Sequence, residues 1–157
     1  MDFITTAKRS RNMRAIKSSS NTTTEMRFRA LLIRNRVAGW RVRPKNVLGC
    51  PDFYFSSRLV AVFVDGCFWH CCPKCGHTPK ANRRYWTKKL EQNKQRDICI
   101  NKLLRSQGIK LVRIWECELR AAPQSCLKRL LRTLDTVASP RKLHRIPDVL
   151  AAKFPRR

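Results

Sequence analysis

Hydrophobic residues fall along this chain in two rhythms. At helical spacing, Phe28, Leu31 and Leu32 form one apolar face among Arg27, Arg29, Arg34 and Arg36, which predicts a helix opening near Thr24 and stopped by Gly39. Thr23 or Thr24 serves as its cap, and Glu25 suits the positive N-terminal end. At a period of two, Trp40-Arg41-Val42-Arg43 alternates as a half-exposed strand ended by Pro44. Pro51-Asp52-Phe53-Tyr54-Phe55 reads as a short strand, Ser56-Ser57-Arg58 as a turn, and residues 59–64 as an apolar strand buried on both faces. The two strands are expected to pair as a hairpin in which Asp52 faces Val64. Asp65-Gly66 ends the second strand.

Helical spacing returns over residues 83–107, with Asn82 as the cap and Gly108 as the C-terminal stop. One stripe of this helix runs Trp86, Leu90, Asn93, Asp97, Ile100, Leu104, a core-facing line broken by an amide and a carboxylate. Polar groups on an apolar face are costly unless satisfied, so Asn93 and Asp97 are expected to point into a site. A further apolar strand, residues 109–115, follows the helix. A hairpin, a crossover helix and a strand imply that this strand runs parallel to residues 59–64, so Glu116-Cys117-Glu118 leaves the sheet beside the loop that follows Val64. Residues 124–136 carry Leu127, Leu130, Leu131 and Leu134 on one helical face. The predicted class is α/β: a mixed sheet of four or five strands with helices on both faces. One folded domain is expected over 21–138, between a basic arm at 1–20 and a Pro- and Arg-rich basic tail at 139–157.

Charge narrows the function. In 157 residues, 35 Lys and Arg stand against 10 Asp and Glu, a formal charge of +25. Such a balance calls for a polyanionic partner, and nucleic acid leads. A ribosomal or chromatin-like structural role would leave the four Trp and eight Cys unexplained. No stretch resembles a signal peptide or a membrane span, so the expected location is cytoplasmic, where cysteines stay reduced and serve as metal ligands.

Candidate chemistry gathers after Val64, in Asp65-Gly66-Cys67-Phe68-Trp69-His70-Cys71-Cys72-Pro73-Lys74-Cys75-Gly76-His77. Cys72 and Cys75 form a CxxC knuckle, Cys67 precedes it, and the topology brings Cys117 to the same edge. Four thiolates suit a closed, structural zinc site, with Cys71 and His77 as further candidate ligands. A zinc deaminase is excluded, because no H-x-E precedes the cysteines. Asp52 and the Val64 carbonyl offer hard oxygens for Mg²⁺, His70 a base at neutral pH, and Asp97 an orienting carboxylate. Phe68 and Trp69 are adjacent aromatics in an edge loop, fit to wedge between base pairs, with core packing as the plain alternative.

The segments GCPDFYF, AVFVDGCFWH, CPKC, NRRYWTKKLEQNKQRD and RIWECEL together resemble the very-short-patch repair endonucleases, a branch of the PD-(D/E)xK restriction-endonuclease-like nucleases, from about Lys8 to Leu119. The resemblance implies a restriction-endonuclease-like sheet in a nuclease domain over 21–138. It also implies a prokaryotic Mg²⁺-dependent enzyme that nicks beside the thymine of a T:G mismatch left by 5-methylcytosine deamination. It gives Asp52 and Val64 as Mg²⁺ ligands, His70 as general base, and Asp97 and Glu25 as supporting acids. Cys67, Cys72, Cys75 and Cys117 become the Zn²⁺ set, with Cys71 the alternative to Cys72. Met13, Phe68 and Trp69 are wedges, and Lys89 and Asn93 read the mismatched pair. The implied partner is double-stranded DNA, bound by a monomer, in a pathway shared with mismatch-repair proteins and a cytosine-5 methyltransferase. Histidine stands where the archetypal motif has lysine. A non-catalytic zinc-containing nucleic-acid-binding module, and a restriction-type nuclease for unmismatched sites, are the alternatives.

Overall fold

The computed structural model describes Thr5 and residues 24–136. Met13 and the rest of the basic arm apart from Thr5, Thr23, and the tail from 139 onward lie outside the described residues. The elements in order are α1 (Thr24–Arg34), β1 (Trp40–Val42), β2 (Phe53–Phe55), a 3₁₀ turn (Ser56–Arg58), β3 (Val60–Asp65), α2 (Arg83–Ser106), β4 (Lys110–Trp115), α3 (Glu116–Ala121) and α4 (Pro123–Asp135). The strands form one four-stranded sheet in the order β1-β2-β3-β4. The pairs β1–β2 and β2–β3 are antiparallel, and β3–β4 is parallel, as expected for strands joined by a crossover helix.

Side-chain alternation along each strand builds two cores. Phe53, Phe55, Val60, Val62, Val64, Val112 and Ile114 face α1, α3 and α4, meeting Phe28, Leu32, Leu119, Leu127 and Leu130. Tyr54, Ala61 and Phe63 face the other way, onto Ile100 and Leu104 of α2. The sheet is thus covered on both faces, and β3 is buried along its whole length, which is why it reads as an unbroken apolar run.

Both long-range helix ends stop by the same device, with different residues. At the end of α2, Gly108 (φ +75°) lets the Gly108 N–H bond the Arg105 carbonyl and the Ile109 N–H bond that of Leu104, a Schellman cap. Helix α1 ends earlier than expected. Arg36, not Gly39, takes the left-handed position (φ +54°), and the Arg36 and Val37 N–H groups reach the Ile33 and Leu32 carbonyls. Val37 packs on the same core as Leu32, which completes the motif and offsets the strain of a non-glycine residue there. Asn82 precedes α2 in a left-handed conformation and makes no side-chain cap, so the expected capping bond is absent. The hairpin register is also offset by one residue. Phe53 pairs with Val62, so Asp52 falls opposite Phe63, yet its carboxylate still reaches the Val64 N–H. No helix among the described residues is long and apolar enough to cross a membrane.

Candidate active site and metal centre

The parallel register decides where the site lies. Asp65 at the end of β3 pairs with Trp115 at the end of β4, so the chain segments beyond them emerge side by side. Cys67 and Cys117 each stand two residues past that pair. The Cys117 backbone N–H donates to Cys67 Sγ at 3.3 Å. Cys72 and Cys75 fold back onto them, and the four sulfurs lie within 4.8 Å of one another. Cys72 Sγ is 3.7 Å from Cys117 Sγ, matching the edge of about 3.8 Å that a tetrahedron with metal–sulfur bonds of about 2.3 Å would have. Burial pushes the Cys67 thiol up and would do the same to Cys72. At Cys72, though, burial is outweighed by the backbone N–H groups of Lys74 and Cys75 together with the Cys117 and Cys75 thiols, which hold its thiol below the ordinary range. Gly76 closes this knuckle through its N–H to the Cys72 carbonyl at 2.7 Å, and a Cβ there would sit 2.5 Å from that same oxygen. The described residues thus form a four-cysteine cluster fit to hold a metal ion. Cys71 stands outside it, its sulfur 3.8 Å from the Leu90 carbonyl, and His77 packs against the Phe68 ring instead.

Glu118, next to Cys117, ties the knuckle to the body of the protein. It accepts from Lys74 Nζ at 3.2 Å and Arg129 Nη2 at 2.8 Å. Burial would raise the Glu118 carboxyl, but the Arg129 and Lys74 contacts bring it below the usual carboxylate range.

A polar network lies on the α2 side of the same edge. Asp97, on the α2 stripe, places Oδ2 2.6 Å from His70 Nδ1. Asn93 Nδ2 donates to the Trp69 carbonyl at 3.1 Å, so both polar interruptions of that stripe grip the loop after β3. By sequence Asp65 is a strand terminator. It is instead the last residue of β3, fully buried, and forked by Arg113 through Nε (2.6 Å to Oδ2) and Nη2 (3.1 Å to Oδ1). Asp65 Oδ1 also lies 3.7 Å from His70 Nδ1. Burial works against the Arg113 charge, but the Asp65 and Asp97 carboxylates more than compensate and hold the guanidinium above its ordinary range. The available signal was the sequence KLVRIW, where arginine interrupts an apolar strand.

On the hairpin side, Asp52 is buried and its Oδ2 accepts the Val64 N–H at 2.7 Å. Arg43, which the sequence pattern marks only as a strand position, pairs with Glu25 through Nη2 and brings Nε to 3.8 Å from Asp52 Oδ1. Glu25 therefore approaches the Asp52 region through Arg43. Asp52 thus sets a hard carboxylate oxygen against the Val64 backbone, and a carboxylate with a main-chain carbonyl would suit a hard divalent ion that keeps most of its waters.

The aromatics form a surface cluster. Phe68 lies edge-on to Trp69 (5.0 Å between centroids) and to Trp86 (5.2 Å), and Tyr85 meets Trp86 at 5.2 Å. Trp86 is thus half-buried against the loop and is no part of the core, contrary to the stripe reading. Lys89 is exposed on the same helix.

This chain is related to known proteins. A family model described as DNA mismatch endonuclease Vsr matches residues 1–75. The type II nicking enzyme V.NaeI of Lentzea aerocolonigenes is 41% identical over 119 residues, 71% of this chain and 69% of the relative. The type II nicking enzyme V.NmeAIP of Neisseria meningitidis serogroup A is 39% identical over 139 residues, 85% of this chain and 96% of the relative. The DNA mismatch endonuclease Vsr of Escherichia coli K12 is 34% identical over 117 residues, 73% and 72% of the two chains.

Proposed function

We propose that this chain, which belongs to the DNA mismatch endonuclease Vsr family, nicks double-stranded DNA beside the thymine of T:G mismatches formed by deamination of 5-methylcytosine. The observation that carries the reading is the pair of adjacent residues that join the two halves of the site. Val64 donates its N–H to Asp52, and Asp65 approaches His70, whose Nδ1 meets Asp97 at 2.6 Å. The mixed sheet with Asp52 heading β2 supports a restriction-endonuclease-like fold in which histidine replaces the usual lysine.

In this reading Asp52 and the Val64 carbonyl hold Mg²⁺. When bound, the ion supplies charge stabilisation at the scissile phosphate. An ionised Asp97 can only accept hydrogen bonds, so the shared proton lies on Nδ1 and leaves Nε2 as the basic nitrogen. His70 Nε2 takes the proton of the attacking water, and Glu25 supports Asp52 through Arg43. Cys67, Cys72, Cys75 and Cys117 hold Zn²⁺, which pins the His70 loop to the end of β4. Phe68 and Trp69, backed by Trp86, unstack the duplex at its weakest pair, with Met13 acting from the other groove. Lys89 and Asn93 read the mismatched pair. The enzyme works as a monomer in the prokaryotic cytoplasm, after a cytosine-5 methyltransferase has created the lesion-prone base and alongside mismatch-repair proteins.

The relatives named type II nicking enzymes favour a second reading, nicking within a fixed recognition sequence that carries no mismatch. One assay separates the two. Single-turnover nicking is measured on duplexes differing only in T:G, T:A or C:G at one position, with and without Mg²⁺. Metal-dependent nicking confined to T:G supports the proposal; equal nicking of T:A supports the second reading; no nicking of any duplex overturns both.

A further inference from the structure

Arg113 does more than neutralise a buried aspartate. Its Nη2 lies 3.2 Å from Asp97 Oδ2, the same oxygen that meets His70 Nδ1. Its Nε and Nη2 also occupy both oxygens of Asp65, one of which stands 3.7 Å from the same ring nitrogen. Two carboxylates therefore face one imidazole, and a single guanidinium governs both. The guanidinium is held in turn: it stacks over its cross-strand partner Phe63 at 5.2 Å and donates Nη1 to Asn101 Oδ1 at 3.5 Å. Arg129 Nη2 fixes the Arg113 main-chain carbonyl at 2.8 Å.

We infer that Arg113 is a positioning residue for nicking, selecting Asp97 over Asp65 as the partner of His70 and so setting the tautomer and direction of the ring. The inference rests on the reading of His70 as the base. With both Asp65 oxygens committed to the fork, that carboxylate competes poorly for Nδ1–H. With Asp97 Oδ2 approached from two sides, its carboxylate has one orientation. Without the guanidinium, two buried like charges would repel, and the Asp97 carboxylate would swing from the ring. Lysine cannot substitute, since a point charge does not fork one carboxylate while reaching another.

Arg113→Lys tests this in the full-length protein. Single-turnover nicking at saturating protein should fall about 10- to 100-fold, the scale set by small misplacement of a catalytic group, while T:G duplex affinity stays within about 2-fold. The ¹⁵N spectrum of the His70 ring should change from a single Nδ1–H tautomer to a mixture, a signature that a merely structural pair would not move. The double variant Asp65→Leu/Arg113→Met removes the buried ion pair as a unit, which proteins often tolerate. It should fold and nick faster than Arg113→Lys, because no second carboxylate is left to repel Asp97 or to compete for Nδ1–H. Wild-type nicking by Arg113→Lys, or a double variant no faster than Arg113→Lys, with His70→Ala slow, overturns the role of Arg113 and leaves His70 as the base. Wild-type nicking by His70→Ala overturns the reading of the base itself, and this inference with it.

Discussion

Removing the metal from the four-cysteine cluster should destabilise the whole domain, because the cluster joins segments far apart in sequence. Cys72 and Cys117, 45 positions apart, meet at 3.7 Å, and a metal ion held by the cluster would act as a cross-link between them. The chain-entropy relation for a closed loop of that length gives about 4 kcal/mol of constraint on the unfolded chain. That is a large share of the 5–15 kcal/mol of typical domain stability. At about 4 °C per kcal/mol for a domain of this size, release should lower Tm by roughly 15 °C. The assay is calorimetry on purified protein in reductant, before and after a high-affinity chelator, with metal analysis of both samples. Zn²⁺ should restore the original Tm and Mg²⁺ should not. A protein purified without metal, or one whose Tm moves by less than about 3 °C on full release, would refute the cross-link.

Asp52→Ala should abolish nicking while leaving DNA affinity nearly unchanged, since an ion held at Asp52 would serve chemistry more than docking; near-normal single-turnover rates in the variant would remove Asp52 from the site. Gly76→Ala should lower metal content, because the added Cβ would lie 2.5 Å from the Cys72 main-chain oxygen and spread the knuckle; full occupancy by metal analysis would contradict this. Tyr54→Phe should raise stability by about 1 kcal/mol in urea melts, because the Tyr54 hydroxyl is buried with no partner among the described residues; a loss of that size would show that the hydroxyl is satisfied.

The sheet and its crossover were legible because apolar runs and turn residues agree. The buried 59–64 run, the helical stripe through Asn93 and Asp97 and the apolar 109–115 run leave one economical topology, and that topology carries Cys117 to Cys67. Asn93 and Asp97 stood out because polar groups on an apolar face must be satisfied by something across from them. Their partners were harder to read. Asp65 looks like a turn residue beside Gly66, and only the register shows that it continues the strand into a buried fork with Arg113. Glu25 lies on α1 and Arg43 just past the end of β1, and no periodicity links them. The α1 end was misjudged because a glycine at 39 outranks an arginine at 36 by propensity. The Val37 contact, a tertiary effect, decides otherwise. Trp86 fits the core stripe by spacing, but the folded loop draws it to Phe68.

Under the proposed function, the edge of the sheet couples cleavage to a distorted base pair, with Trp69 packed beside Phe68 as the wedge next to His70. The most direct test is the ratio of single-turnover nicking rates on T:G and T:A duplexes for the wild type and for Trp69→Ala. Unstacking costs a few kcal/mol per step and least at a mismatch, so the wild-type ratio should be large and should collapse by about 10-fold or more in the variant, while salt-sensitive nonspecific binding persists. A ratio unchanged by the substitution would show that Trp69 only packs the loop, and the coupling between wedge and cleavage would be contradicted.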